Sequence, residues 1–412
     1  MTRTPNLQLR RLLDDARWTM EQLARSVNAL ASHEGTSLHY DRTSVAHWLR
    51  GTRPRDPTPR LIAAALGIRL NRALTLSDVG LAAPPASGPA ASSLIEDLLK
   101  TCAPPPAHAE QHPAPSVHTS SSGQRGTTAP TPREATAAFF IHLHYRYGSH
   151  GSSALTTYIT DEGPRDTSPA SLTDSAKLAY TLGLLVADRA EPGRADTLWQ
   201  HTIRLAQHAG SPDLQSIALR ARAALAHRRG QHITSLSLAD EARRYAQAPA
   251  TQAYSVIMSA SILAAIHNAK AARRALDRAQ SLYQAPGALD DPFTTYPEAG
   301  FLFQQAHVLA DCGHRQEAIA VLNESLELRP AAELRNRALT HVRLAQLLLP
   351  SSAAAATPHL NALLDLGLPG QLRSDAVQDA LRGLVRSVRN EPLTQRNAQL
   401  HRWVARLALP AR

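Results

Sequence analysis

Asp41-Arg42-Thr43-Ser44-Val45-Ala46-His47-Trp48-Leu49-Arg50-Gly51 is the stretch that orients everything around it. Asp41 is a good helix N-cap, because its carboxylate can accept a bond from an orphan N–H of the first turn. Val45, Trp48 and Leu49 then recur at helical spacing and define an apolar stripe. Gly51 fits the left-handed position just beyond a helix end. That leaves Arg42, Thr43, Ser44 and His47 on the remaining face, all polar and all toward the N-terminal end. Short polar and guanidinium side chains on the first turns of a Trp-anchored helix suit the donor and acceptor edges of a DNA major groove.

The flanks extend this reading. Residues 7–17 place Leu9, Leu12 and Leu13 on one side of a short amphipathic helix. Thr19 with Gln22 three residues later forms a capping-box pattern, followed by Met20, Leu23, Ala24 and Val27 as a buried side. After Gly51, Arg53, Arg55 and Arg60 alternate with Pro54, Pro57 and Pro59, and a further helix is expected from about Thr58 to Leu66. Between 42 and 72, Arg42, Arg50, Arg53, Arg55, Arg60, Arg69 and Arg72 stand against Asp56 alone. Clustered arginine on a small domain is the footprint of phosphate binding, where released counterions drive affinity.

This order of helices in about the first 70 residues resembles the phage-repressor-like (Xre-type) helix-turn-helix family. Thr19, Gln22, Leu23 and Ala24 match on the second helix, and Val45, Trp48 and Gly51 on the third. The chain departs from that pattern at Leu30–Tyr40, about a dozen residues where the family has a tight turn; a longer second helix ended by Gly35 would absorb them. The stretch W-L-R-G-T-R-P-R-D-P looks like actinobacterial regulators with this longer turn. The resemblance implies that Arg42, Thr43, Ser44 and His47 read base edges of double-stranded DNA. Arg50, Arg53, Arg55 and Arg60 would hold phosphates, helped by Thr19 and Gln22. It also implies a homodimer on two half-sites.

At 412 residues the chain is expected to hold two or three domains. Its net charge of +10 is carried almost wholly by arginine, since only Lys100, Lys177 and Lys270 are lysines. Such Arg- and Ala-rich usage also follows from a GC-rich genome, so local clustering weighs more than the total. Cys102 and Cys312 suggest neither a disulfide framework nor a metal cluster. With no long apolar run and no signal-peptide core at the start, a soluble, cytoplasmic protein without membrane contact is expected.

Helical patterns dominate, and an all-α fold in three parts is expected: a helix-turn-helix domain over 1–83, a linker over 84–132 and a helical-hairpin solenoid over 133–412. The linker is rich in Pro, Ala, Ser and Thr and reads as extended. Within it Ser93–Lys100 is amphipathic, and His108, His112 and His118 match no metal-site spacing.

Farther on, Ala306, Gly313, Ala318, Leu322, Ser325 and Pro330 keep the spacing of the tetratricopeptide repeat, in which small residues let paired helices approach. Weaker units carry Ala195, Trp199 and Ala206; Gly230, Ala239 and Ala242; and Ala272, Leu276 and Ala279. Repeat starts fall near 216, 253, 299 and 333, with Pro286–Pro297 as an insertion. Helices over 354–409 would add further pairs or a cap.

The repeat resemblance implies a concave face that binds a peptide or protein effector and supplies the dimer contact. In this register its lining is Arg220, His227, Tyr254, Phe303, Gln304, His307, Arg337 and His341. Arg220 and Arg337 could each grip a carboxylate in bidentate fashion. The aromatic run Phe139–Tyr147 suits packing of the first hairpin or a dimer contact, and its two histidines, His142 and His144, fall on different faces.

No phosphate-cradling loop, dinucleotide fingerprint, zinc-protease motif or nucleophile elbow occurs. The expectation is a non-enzymatic DNA-binding regulator without cofactor or metal. The alternative is a repeat-scaffold adaptor whose N-terminal domain serves as a docking unit.

Overall fold

A computed structural model describes residues 4–70, 74–81, 91–102, 130–163, 166–283, 291–293, 295–366 and 372–390. The expected prolines of 84–90 and 103–129, with His108, His112 and His118, lie outside them, as do Arg72 and residues 391–412.

Eighteen helices occur among the described residues. The first nine are α1 (Leu7–Asp15), α2 (Met20–His33), α3 (Arg42–Leu49), α4 (Thr58–Arg69), α5 (Ala91–Cys102), α6 (Pro132–Tyr147), α7 (Ser152–Glu162), α8 (Pro169–Ala187) and α9 (Pro192–His208). They continue with α10 (Pro212–Arg228), α11 (His232–Tyr245), α12 (Pro249–Ala265), α13 (Ala269–Leu282), α14 (Glu298–Asp311) and α15 (Arg315–Leu328). Last come α16 (Leu334–Leu348), α17 (Ala353–Asp365) and α18 (Asp375–Asn390). The described residues contain no strand, only an isolated bridge between Gly148 and Arg373. The fold is all-α, and no described helix is long and apolar enough to cross a membrane.

The chain divides into two compact units, Met1–Pro89 with Ser216–Tyr283, and Ala90–Gln215 with Gln284–Arg412. In the first, Leu9, Leu12 and Leu13 of α1 join Leu23 and Val27 of α2, Val45 and Trp48 of α3, and Leu61, Ile62 and Leu66 of α4 in one core. Fully burying each such side chain contributes about 1.5–3 kcal/mol. Ile233 of α11 packs on the same core, so this unit joins the N-terminal helices to a later hairpin.

In the second unit, α5 lies inside the span expected to be linker. It forms because Leu94, Ile95, Leu98 and Cys102 share one face, and that face is buried with α5 packed on α7 and α9. The Cys102 thiol is pushed up to about 11 by this burial, against a weaker opposing pull from Arg194. Helices α8 and α9 approach closely because Gly183 lacks a side chain: a Cβ there would lie 2.4 Å from Trp199 Nε1. Asp188, at the C-cap of α8, ties several elements together. Its carboxylate accepts from Arg335 Nε at 2.9 Å and from Ser374 Oγ at 2.9 Å, with His144 4.0 Å away. Burial alone would raise this carboxyl, but Arg335, His144 and Ser374 outweigh it and hold it below its ordinary range.

Most residues singled out by spacing are interior, whereas Pro330 is exposed. Ala195, Trp199, Ala206, Ala239, Ala242, Ala272, Leu276, Ala279, Ala306, Ala318, Leu322 and Ser325 are all buried. Helices α10, α12, α14 and α16 begin at Pro212, Pro249, Glu298 and Leu334, each within four residues of an expected repeat start. Gly230 and Gly313 both take positive φ at the turns where they were expected.

Candidate nucleic-acid interface

The candidate interface is built around α3. Asp41 caps it through its carboxylate, which accepts from Ser44 N at 2.8 Å and from Ser44 Oγ at 2.8 Å. The Ser44 backbone and side-chain bonds hold the Asp41 carboxyl below its ordinary range. At the other end Gly51 sits at φ +92°, and Thr52 N returns to His47 O at 3.0 Å, closing the helix in a Schellman-type turn. Val45, Trp48 and Leu49 are buried, whereas Arg42, Thr43 and His47 are exposed. Ser44, expected among the base readers, is half-buried with its hydroxyl donated to Asp41, so its first role is in the cap.

What precedes α3 is a long helix and an ordered loop. Helix α2 runs to His33, Glu34 follows, and Gly35 takes φ +72°, so the longer second helix absorbs part of Leu30–Tyr40. Asn28 then clamps the loop: its Nδ2 donates to Tyr40 O at 2.8 Å and its Oδ1 accepts from Tyr40 N at 2.9 Å. The Tyr40 ring meets Trp48 edge-on, with centroids 5.0 Å apart, and its hydroxyl lies 2.9 Å from Thr58 Oγ1. Asn6 secures the far end of α3, its N donating to Leu49 O at 3.0 Å and its Nδ2 to Val79 O at 2.9 Å. Asn6, Asn28 and Tyr40 are thus positioning residues that periodicity does not reveal.

At the start of α2 the capping box is reciprocal. Thr19 Oγ1 accepts from Gln22 N at 3.2 Å, and Gln22 Oε1 accepts from Thr19 N at 2.8 Å. Both residues remain exposed.

Of the expected phosphate contacts, Arg50, Arg53 and Arg55 are exposed. Arg60 is not. Its side chain is 6% exposed and its Nη1 lies 3.0 Å from Glu241 Oε2 on α11, as an ion pair rather than an aligned hydrogen bond. Ser237 Oγ is 3.3 Å from the same nitrogen. The charge expected on the DNA side is therefore spent inside the unit. Nearby, Glu34 caps α11 in place of any local residue: its carboxylate accepts from Thr234 N at 2.7 Å and Thr234 Oγ1 at 2.6 Å. Arg69 is exposed, with its Nε donating to Ala16 O at 3.1 Å.

Residues 9–82 match the family model described as the SP15 N-terminal domain. This span holds Thr19, Gln22, Arg42, Thr43, His47, Arg50, Arg53 and Arg55, but not Asn6. No curated protein matches the chain.

The expected effector-lining residues divide between the two units. In the first, Arg220 is buried with its guanidinium 3.4 Å from the centroid of the Tyr254 ring, and the His227 and His232 rings are 5.4 Å apart. In the second, Phe303 and His307 meet at 4.7 Å, and Gln304 is half-buried. Two expectations need correcting there. Arg337 donates from Nη1 to Leu326 O at 3.2 Å and Arg329 O at 3.1 Å, so carbonyls at the C-terminal end of α15 take the group expected to grip a carboxylate. His341 is buried with its Nδ1 3.1 Å from His359 Nδ1. Burial first, then His359 and Arg337, pushes it down to about 4, so it sits neutral in an internal pair.

Proposed function

We propose that the chain is a sequence-specific DNA-binding transcriptional regulator of helix-turn-helix type, not an enzyme. Its tetratricopeptide-like hairpins would mediate dimerisation and bind an effector. The observation that carries this reading is the division of α3 into two faces: Trp48, Val45 and Leu49 fixed in the core, and Arg42, Thr43 and His47 presented to solvent beside exposed Arg50, Arg53 and Arg55. Arg42, Thr43 and His47 read base edges. Arg50, Arg53 and Arg55 neutralise phosphates, with Thr19 and Gln22 at the start of α2 beside the backbone.

The rival reading, an adaptor, is favoured by a different observation: the N-terminal helices already use Glu34 and Arg60 to dock on α11. Salt dependence separates the two. For a regulator, Arg53→Ala lowers affinity for all duplexes alike and reduces the slope of log K against log salt by about 1, while Arg42→Ala loosens base preference. An adaptor shows only weak, sequence-blind binding that both variants reduce equally.

A further inference from the structure

Four lysine and arginine side chains are buried among the described residues: Arg60, Lys177, Arg220 and Arg329. Three have carboxylate partners. Arg60 pairs with Glu241, Lys177 with Glu134 and Asp291, and Arg329 with Glu333, Arg329 also donating to Thr340 Oγ1 and Ala299 O. Arg220 has none. It is 8% exposed, its Nε is fully buried without an acceptor, and its guanidinium rests on the Tyr254 ring.

A buried cation without a counter-ion is costly, and the attraction of an aromatic ring does not replace the lost hydration. A ring against one face of the guanidinium leaves its N–H edges in the plane, where a planar acceptor with two oxygens fits. We propose that Arg220, stacked on Tyr254 between α10 and α12, is the recognition point for an organic carboxylate, whose charge completes the pair that the described residues leave open. The inference rests on the effector role proposed for the hairpins. Its test is run without DNA, so its failure leaves the DNA-reading proposal standing.

The test uses the full chain in chloride buffer of fixed ionic strength, titrated calorimetrically with acetate, succinate, and a short acidic peptide in free-acid and amidated forms. The expected result is saturable binding of at least one carboxylate, weakened at least tenfold in both Arg220→Met and Arg220→Lys, since lysine keeps the charge but not the fork. Preference for succinate or acetate assigns a small acid as the source; preference for the free-acid peptide over its amide assigns a peptide terminus. Without ligand, Arg220→Met should raise the melting temperature by about 2–4 °C, because it removes an uncompensated buried charge. The proposal is overturned if no carboxylate binds, if Arg220→Met binds as wild type does, if inorganic phosphate alone binds, or if Arg220→Met melts lower than wild type.

Discussion

Replacing Arg60 with methionine should damage the fold and spare DNA recognition. The Arg60 side chain is 6% exposed and that of Glu241 22% exposed, so the change leaves a largely buried carboxylate facing an apolar side chain. Removing one partner of a buried ion pair costs about 3–5 kcal/mol. Glu241 keeps some hydration, which lowers the expected cost to about 2–4 kcal/mol. Substituting both partners, Arg60→Met with Glu241→Leu, leaves no stranded charge and should return stability to within about 1 kcal/mol of wild type. Hydrogen exchange of the α4 and α11 amides reads the effect directly: the single variant should exchange roughly 30- to 700-fold faster, and the double variant near the wild-type rate. The salt slope of DNA binding should be unchanged in folded protein. Wild-type protection in Arg60→Met, or a double variant as labile as the single, would refute the internal role assigned to this residue. A salt slope reduced by about 1 would return it to the phosphate contacts.

Two further outcomes test the packing. Gly51→Ala forces a Cβ onto a residue at φ +92° and to 2.1 Å from Thr4 O, so it should destabilise the N-terminal helices by about 2–3 kcal/mol; unchanged exchange of α3 amides would count against it. Because His341 is held neutral down to about 4, the unfolded chain takes up its proton first as pH falls below its ordinary 6.5. Stability should be full above that value and decline toward pH 4, by on the order of 2–3 kcal/mol from this group. Urea unfolding at pH 7 and pH 4.5 should show a smaller acid loss in His341→Leu; a loss equal to wild type would contradict the assignment.

Local signals carried most of the secondary structure. The Thr19 and Gln22 box, the Asp41 cap, Gly35, Gly51, Gly230 and Gly313 each act over a few residues, so their chemistry is visible in the sequence. The amphipathic face of α5 was also legible amid prolines, because four apolar residues at helical spacing outweigh the composition around them. Long-range pairing was not. Arg53, Arg55 and Arg60 look alike between their prolines, and only the approach of α11 turns Arg60 inward toward Glu241. Glu34 caps a helix 200 positions away, which no periodicity records. Arg337 and His341 share a helix surface with plausible ligand contacts, yet the carbonyls of Leu326 and Arg329 and the ring of His359 are what they meet. Ser44 fits both a cap and a base reader by sequence, and its short bond to Asp41 decides for the cap.

Everything proposed for the N-terminal helices depends on α3 reading DNA sequence. The most direct measurement is selection from random duplexes by the full-length protein at about 150 mM salt, where sequence-blind phosphate binding is already weakened. The expected result is enrichment of one motif, with its preference lost in Arg42→Ala and retained in Arg60→Met. Enrichment of no motif by folded protein would contradict it.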